Sequence, residues 1–409
     1  MRKVIENINF LDLSSAAEES LEGVTKLQNI NLMLFSKKVA KSLSSITMKN
    51  VNFSAEVPEK CTQVNGQFEL DESFAASVKE LLYLVINGTL VVKPDVTVEI
   101  IEKTLSGLFV NGGVYCPEKV KGIIQQKTER LNGNITAYMD DADVLAENVR
   151  FDNNYLRSLQ PGTNIVVTGK VTMVEPLDSS LLQERLGKVE FLNRALIRED
   201  YMEIITEKML NPHKCKMTWI PVGAVYVDKD FYLDSMAIQR FEHATLYVTG
   251  TIQLGSDVSQ EILVKCIDKI YTNKTIICRK ELKEAVLKRC DDPSVTVLDY
   301  TGKLLVVDGE HKLTQAELKY TKENLSLLVR GVLDIADNVD PEALYDKVDS
   351  IDNYGVINGD SEQCGVVQTK LRTNKGVVSD RKEPDDEQNA PEEEDAGEIR
   401  IANMNYLKL

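Results

Sequence analysis

Between Leu84 and Gly359 the chain repeats a nine-residue pattern in which apolar and variable positions alternate around a central residue, usually glycine. Alternation with period two predicts a strand with one buried face. Copies at intervals of mostly 21 to 30 residues predict an array of stacked repeat units. The clear copies are centred on Gly88, Gly112, Gly169, Gly250, Gly302 and Gly331, and the weaker ones on Gly133, Asn193, Gly223, Lys274 and Gly355.

A short helix is predicted after several of these strands. Pro94-Asp95, Pro117-Glu118 and Pro341-Glu342 each precede apolar residues at helical spacing. Proline followed by an acid suits a first helical turn, where an N–H is not needed and the helix dipole favours negative charge. We therefore expect the central glycine to face this helix layer, so that Gly250→Val would overpack the core. At Lys274 we expect a local register shift or bulge that returns the ammonium group to water.

The first 81 residues carry a variant of the pattern without the central glycine. Asn7-Ile8-Asn9-Phe10, Asn29-Ile30-Asn31-Leu32 and Asn50-Val51-Asn52-Phe53 follow one another at spacings of 22 and 21 residues. Asparagines at matching positions of stacked strands can form a hydrogen-bonded ladder. The alternative is that they face solvent while the aliphatic residues fill the core.

In its period, its strand–helix order and its inward aliphatic residues, the chain resembles leucine-rich-repeat proteins and related α/β solenoids over roughly residues 4–371. It departs from them because the usual Leu-x-Leu-x-x-Asn pattern is not kept. The resemblance implies an α/β solenoid with one continuous parallel sheet whose exposed face binds a ligand. The alternative fold is a parallel β-helix with short helical corners.

This pattern divides the chain into four regions. Residues 1–81 are the Asn-rich units, 82–371 the main Gly-centred array, 372–398 an acidic linker and 399–409 a strand-like segment. Ten acids between residues 379 and 398 contribute about half of the net charge of −16. Their composition predicts a disordered linker. The remaining acidity disfavours nucleic acid as a partner.

Composition also bears on compartment and cofactors. The chain contains no run of about 20 apolar residues, so no membrane span is predicted. The first residues are too polar for a signal peptide. The seven scattered cysteines suggest reduced thiols and a cytoplasmic protein. His213, His243 and His311 lack a second ligand pair at metal spacing. We expect no metal, no cofactor and no catalytic residue.

The strand positions that point away from the predicted helices are polar and rich in threonine and asparagine. They are either a solvated β face or the recognition surface that solenoids present to partners. The candidate binding residues on this face are Asn87, Asn111, Tyr115, Thr168, Lys170, Tyr226, Tyr247, Thr249, Thr251 and Arg330.

The last seven residues resemble the first strand. Four positions of Asn403–Leu409 are identical to Asn7–Leu13, and Lys408 stands where the first strand has Asp12. We therefore predict that residues 401–409 add as a strand to a sheet edge, in their own chain or in a neighbouring one. The segment comprises Asn403, Met404, Asn405, Tyr406, Leu407 and Leu409 as its principal docking residues.

These patterns favour a non-enzymatic scaffold that binds an unidentified protein partner through its exposed sheet face and can self-associate. One alternative is a structural filament assembled through the C-terminal strand. Another is a β-helix enzyme acting on carbohydrate, which would need an acid cluster beside aromatic residues on the exposed face.

Overall fold

The computed structural model describes residues 2–381 and 398–409. It is an α/β protein of short parallel strands and short helices, compatible with a repeat solenoid. The described residues form two compact units, one containing 2–219 and 398–409 and the other containing 220–381. The predicted single continuous sheet is not found, since the described strands form eight separate sheets.

The first unit opens with an N-terminal sheet whose strands are joined by a 3₁₀ turn at Glu18–Leu21 and by one helix. One face of this sheet encloses a small core around Ile5, Ile8 and Leu27. The other face packs on the neighbouring strands through Phe10 and Leu32. The elements are β1 (Arg2–Leu13), β2 (Val24–Phe35), α1 (Lys37–Leu43) and β3 (Thr47–Glu56).

Two repeats of strands and helices complete most of the first unit. Repeat 1 contains β4 (Thr62–Leu70), α2 (Glu72–Ser77), β5 (Leu82–Val92), α3 (Val98–Thr104), β6 (Leu105–Asn111), β7 (Val114–Pro117), α4 (Lys121–Lys127), β8 (Thr128–Asn132) and β9 (Ile135–Tyr138). Repeat 2 contains β10 (Asp143–Leu145), β11 (Val149–Arg150), α5 (Asn153–Ser158), β12 (Thr163–Val167), β13 (Val171–Met173), α6 (Ser179–Arg185), β14 (Leu186–Phe191), β15 (Arg194–Arg198), α7 (Met202–Lys208) and β16 (Lys216–Ile220).

The second unit contains two further repeats. Repeat 3 contains β17 (Val225–Val227), β18 (Phe231–Leu233), α8 (Ser235–Ile238), β19 (Ala244–Val248), β20 (Ile252–Leu254), α9 (Gln260–Cys266), β21 (Ile267–Thr272), β22 (Ile276–Arg279), α10 (Lys283–Leu287) and β23 (Val297–Tyr300). Repeat 4 contains β24 (Lys303–Val307), β25 (Glu310–Leu313), α11 (Gln315–Tyr320), β26 (Leu325–Val329), β27 (Val332–Ile335), α12 (Pro341–Lys347), β28 (Val348–Asn353), β29 (Val356–Gly359), α13 (Ser361–Lys370), β30 (Leu371–Asn374) and β31 (Val377–Asp380).

The four repeats share an 81-residue period. Gly88, Gly169, Gly250 and Gly331 follow one another at intervals of 81 residues. The second helix of every repeat has seven residues, and these helices also begin 81 residues apart, at positions 98, 179, 260 and 341. Each repeat encloses its own apolar cluster, so the buried residues form several separate cores. The repeating unit is therefore a group of stacked strand–helix layers, larger than a single strand and helix.

The N-terminus of the first helix in each repeat is capped in the same way. A side-chain oxygen accepts a hydrogen bond from the backbone amide three residues later. Such a cap satisfies one of the amides that a helix start leaves without a partner. The four capping residues are Asp71, Asp152, Asp234 and Thr314.

Most of the central glycines lie where a layer turns between its two strands, whereas Gly88 lies within the continuous strand β5. A Cβ atom on Gly331 would lie 2.1 Å from the carbonyl oxygen of Gly309, and one on Gly355 would lie 2.1 Å from that of Gly331. The expected close approach is present, but its partner is the backbone of the preceding layer. The prediction that these glycines face the helices is wrong, because the chain turns a corner there. The apolar positions on either side, such as Ile86 and Leu90 around Gly88, are fully buried as predicted.

Three parts of the repeat pattern need correction. Gly223 and Gly302 lie in turns between repeats, with φ of 74° and 59°, and are not strand centres. The layers actually turn near Lys229 and Gly309, where the neighbouring backbone approaches. Lys274 is exposed as expected, but it reaches water at a corner between β21 and β22 and not through a bulge.

The predicted linker begins too early. Residues 371–380 form β30 and β31, which pair with β28 and β29. The missed signal is Gly376, whose added Cβ would lie 2.0 Å from the carbonyl oxygen of Gly355, as at the other corners. Residues 382–397 of the predicted linker lie outside the described residues.

At the other end of the array, β4 pairs with β5 and places Gly66 opposite Gly88.

The close corner contact predicts opposite effects for two glycine-to-alanine substitutions. Gly355→Ala should lower the free energy of unfolding by about 1–3 kcal/mol, because its methyl group would meet backbone that cannot rotate away. Gly365 lies in α13 with no atom near its missing Cβ. Gly365→Ala should therefore be stabilising by about 0.5–1 kcal/mol. Urea unfolding measures both, and equal effects of the two substitutions would contradict the corner assignment.

Candidate functional site

Four of the five predicted binding residues of the first unit flank a central glycine, namely Asn87, Asn111, Thr168 and Lys170, and the fifth, Tyr115, lies on β7. Asn87 donates to Asn65 Oδ1 at 3.2 Å and accepts from Asn111 at 2.9 Å. Thr168 is buried, and its hydroxyl donates to a backbone carbonyl. Tyr115 packs against an apolar cluster that contains Tyr138, Val166 and Leu192, and burial raises its pKa. Of the five, Lys170 alone has an exposed side chain.

In the second unit the predicted residues fall into two groups. The rings of Tyr226 and Tyr247 are tilted by 30° to each other, with their centroids 6.3 Å apart. Thr249 and Thr251 are half-buried beside the Gly250 corner, and the amide of Thr251 donates to Asp230 at 2.7 Å. Arg330 makes a two-pronged ion pair with Asp308, with distances of 2.5 and 2.8 Å. The structure does not bring the two groups into one site.

A groove that the sequence did not reveal crosses the outer face of a parallel sheet in the second unit. Its volume is about 590 Å³. Tyr232 and Gln253 lie side by side on β18 and β20 and form its floor with Tyr300 from the end of β23. Tyr320, at the end of α11, lies at the rim. Tyr232 is 56% exposed and Tyr320 is 76% exposed, so both rings are available to a partner.

The groove is positively charged within a strongly acidic chain. Arg279, Lys303 and Lys322 line it, and Glu323 is the single carboxylate in its lining. Arg279 lies 3.9 Å from Glu323, which is a loose ion pair. The guanidinium also donates to the backbone carbonyl of Ser256 at 3.4 Å. These contacts hold Arg279 at the groove. The three cationic side chains of the lining outnumber its one carboxylate, so the groove keeps a net positive charge.

Two ion pairs beside the groove involve Asp299, the residue that precedes Tyr300 of the groove floor. Lys283 Nζ lies 2.7 Å from Asp299 Oδ1, and Arg372 Nη1 lies 3.3 Å from Asp299 Oδ2. Arg372 also pairs with the buried Asp352. Burial alone would raise the pKa of Asp299, but these two cations hold it below its usual value. The acids next to the groove are therefore bound in structural ion pairs.

Tyr232 was missed because the repeat centre was placed at Gly223. The third residue after a strand centre points outward, as Gln253 does after Gly250. Counting from Lys229 instead puts Tyr232 in the same outward column. The rim residues Tyr320 and Lys322 belong to a connection after α11, and the strand pattern contains no signal for them.

The C-terminal segment forms β32 (Glu398–Lys408), which pairs in parallel with β1. Met404 lies opposite Ile8, Tyr406 opposite Phe10 and Lys408 opposite Asp12. The Tyr406 and Phe10 rings meet edge to face, with centroids 5.2 Å apart. Ile401, Leu407 and Leu409 pack against the N-terminal core. The N-terminal sheet therefore has the order β3-β2-β1-β32 within this chain.

A ladder of asparagine side chains runs across this sheet. Asn50 donates to Asn29 at 3.0 Å, Asn29 to Asn7 at 2.8 Å and Asn7 to Asn403 at 3.1 Å. All four have positive φ, between 53° and 60°. Asparagine tolerates this left-handed conformation better than most residues. Here it provides both the corner that glycine provides elsewhere and a hydrogen bond to the next strand.

Asp12 anchors the end of β32. Its side chain is fully buried and accepts from the hydroxyl and amide of Ser14 at 2.6 and 2.9 Å. Tyr406 donates to its other oxygen at 3.1 Å, and Lys408 Nζ lies 3.7 Å away. Burial alone would raise the pKa of Asp12, but the Ser14 hydrogen bonds, with help from Gln63 and Tyr406, lower it. Burial, the Asp12 charge and their hydrogen bond raise the pKa of Tyr406 to about 12.

The chain matches no known family model, no curated protein and no solved structure. Within residues 2–381 and 398–409, no three His, Cys, Asp or Glu side chains are grouped so that they could hold a metal ion. No helix in the same described ranges is both long and apolar enough to cross a bilayer.

The left-handed conformation of Asn29 can be separated from its hydrogen bonds by two substitutions. Asn29→Gly loses the ladder contacts but keeps free access to positive φ. Asn29→Ala loses the contacts and also strains the backbone, so it should be less stable than the glycine variant by about 1–2 kcal/mol. Urea unfolding measures the difference. Equal stability of the two variants would show that the conformation of Asn29 contributes nothing.

The Asp12–Tyr406 contact predicts an abnormal tyrosine titration. The pKa of Tyr406 is raised in the folded chain. The contribution of its protonated hydroxyl to the free energy of unfolding is therefore complete below pH 10 and is lost as the pH rises through about 12. Asp12→Asn should move the Tyr406 pKa back toward 10, since the neighbouring charge is removed. NMR of ¹³Cζ-labelled tyrosine follows this titration, with Tyr406→Phe used to assign the signal. An unchanged pKa in the Asp12→Asn variant would contradict the contact.

Proposed function

We propose that the protein is a non-enzymatic scaffold that binds a protein partner through the outer face of the parallel sheet formed by β18, β20, β22 and β23. The observation that supports this function is the groove containing Tyr232 and Tyr320. Solenoid proteins related in architecture to leucine-rich-repeat proteins offer sheet faces of this kind to partners. Exposed tyrosines on such a face provide large contact area at a low cost in side-chain entropy, and tyrosine is enriched among residues that dominate binding energies.

The chemistry of the groove favours an acidic polypeptide segment as the partner. Arg279, Lys303 and Lys322 provide three positive charges against the one carboxylate of Glu323. The chain as a whole carries a net charge of −16, so this local excess of positive charge is unusual for its surface. Attraction between such a patch and an acidic segment accelerates association and fixes the orientation of the partner.

The groove gives less support to the enzymatic alternative. Hydrolysis of a glycosidic bond generally needs two carboxyl groups that flank the bond. The groove lining contains Glu323 alone, and the nearby Asp299 is neutralised by Lys283 and Arg372. Its tyrosines could stack on a sugar ring, but a pair of acids to act on that ring is missing from the described lining.

Affinity purification with matched variants tests this function. Tyr320→Ser and Lys322→Glu alter the groove, while Tyr345→Ser and Lys312→Glu make the same chemical changes at exposed positions outside its lining. Loss of a dominant tyrosine should weaken binding by about 2 kcal/mol, roughly thirtyfold. A partner bound through the groove should be lost with the first two variants and retained with the second two, and its retention should fall as salt is raised.

Two results would contradict the proposal. The first is a set of captured proteins that is the same for all four variants and the unmodified chain. The second is release of the partner by the Lys312→Glu control to the same extent as by Lys322→Glu, which would indicate dependence on overall charge alone.

A further inference from the structure

Within the part of the chain that the structure describes, the N-terminal sheet has two open edges, and both are built from the same strand pattern. Among the described residues, β3 pairs with β2 alone and β32 pairs with β1 alone. Both edge strands are long, with 10 and 11 residues, and neither contains proline. An edge of this kind presents unpaired backbone N–H and C=O groups to another strand. Proteins usually protect such edges with short strands, proline or bulges.

The side chains of the two edges continue the same rows. Met404, Ile8, Ile30 and Val51 occupy one row across the sheet. At the ends of this and the neighbouring rows, Met48 on β3 and Met404 and Tyr406 on β32 are each more than 40% exposed. These are large apolar or aromatic side chains, and the residues opposite them on the adjacent strand, Leu27, Ile8 and Phe10, are buried. Each edge therefore lacks one further strand of the same pattern.

The asparagine ladder makes the two edges complementary. Every bond in it runs in the same direction, from Nδ2 of one strand to Oδ1 of the next, from β3 toward β32. The ladder of one chain therefore ends with the Oδ1 atom of Asn50 on β3 and the Nδ2 atom of Asn403 on β32. If β32 of one chain is placed beside β3 of another in parallel, Asn403 can donate to Asn50 and continue the ladder. The left-handed φ values of the two residues, 60° and 53°, already match.

We infer that the chain associates with further copies of itself by parallel pairing of β32 of one copy with β3 of the next. The contact joins two different surfaces, so it is head-to-tail and does not close on itself as a two-fold dimer does. In this register Met404 lies beside Val51 of the next copy, Tyr406 beside Phe53, and Ala402 beside Lys49. This inference is independent of the groove function, because it uses another part of the molecule.

The row that contains Ala402 offers a selective test. Ala402 lies opposite Glu6 within the chain, and the row continues through Gln28 to Lys49 at the other edge. In the Ala402→Lys variant the new ammonium group faces a carboxylate within its own chain, which favours the docked β32. In the pair between copies the same group faces Lys49, and like charges directly opposite on neighbouring strands are unfavourable.

Sedimentation velocity across a concentration series measures the association. The unmodified chain should form larger species as its concentration rises. Ala402→Lys should raise the concentration needed by roughly fivefold or more without lowering the thermal melting temperature. Adding Lys49→Glu to Ala402→Lys turns the repulsive pair between copies into an attractive one and should restore association. Tyr320→Ser in the groove should have no effect, which keeps failure of this inference distinct from failure of the proposed function.

Three outcomes would overturn the inference. One is an unmodified chain that stays monomeric up to its solubility limit. Another is failure of Lys49→Glu to restore association in the Ala402→Lys background. The third is association that persists unchanged in Ala402→Lys and disappears only when residues 398–409 are deleted, because that result would assign it to exchange of β32 between copies.

Discussion

The repeats of this chain depend on how closely one layer of backbone approaches the next at each corner. Parallel strands lie about 4.8 Å apart, and their amide and carbonyl groups must be paired along the whole stack. At Gly331 and Gly355 the preceding carbonyl occupies the space where a Cβ atom would be. Glycine is thus required by backbone packing, and the buried aliphatic rows on either side can remain in register because the corner is narrow.

The N-terminal sheet satisfies the same constraint with asparagine. Asn7, Asn29 and Asn50 adopt a left-handed conformation and donate hydrogen bonds to the next strand. The two solutions differ in their consequence for the ends of a stack. A row of glycines has no side chain and ends without any directional group. A row of asparagines ends with a donor on one side and an acceptor on the other.

Much of the fold was readable from the sequence, because alternation and equal spacing report directly on strands and on repetition. The buried rows around Leu84 and the pairing pattern shared by the first and last strands could be read in this way. The side toward which the central glycines face could not be read from the sequence. Alternation distinguishes the two faces of a strand, but it does not show where the chain turns a corner. The 81-residue spacing of Gly88, Gly169, Gly250 and Gly331 was present, and it would have corrected the misplaced centres at Gly223 and Gly302.

The groove was harder to predict because it depends on residues that the repeat does not specify. Tyr232 belongs to the strand pattern and could have been found with the correct centre. Tyr320 and Lys322 come from a connection after α11 whose path is set by tertiary packing. Recognition residues on connections generally lack the periodicity from which a repeat scaffold can be predicted.

The pairing of β1 with β32 also determines how the first unit resists force. The two strands are parallel, so the start of β1 at Arg2 lies beside Glu398 and the end of β32 lies beside Asp12 and Leu13. Tension applied to Arg2 and Leu409 pulls the strands along their length in opposite directions. The backbone hydrogen bonds of the pair are then loaded together in shear and cannot open one after another like a zipper. The N-terminal sheet is a mechanical clamp between these two points of the chain.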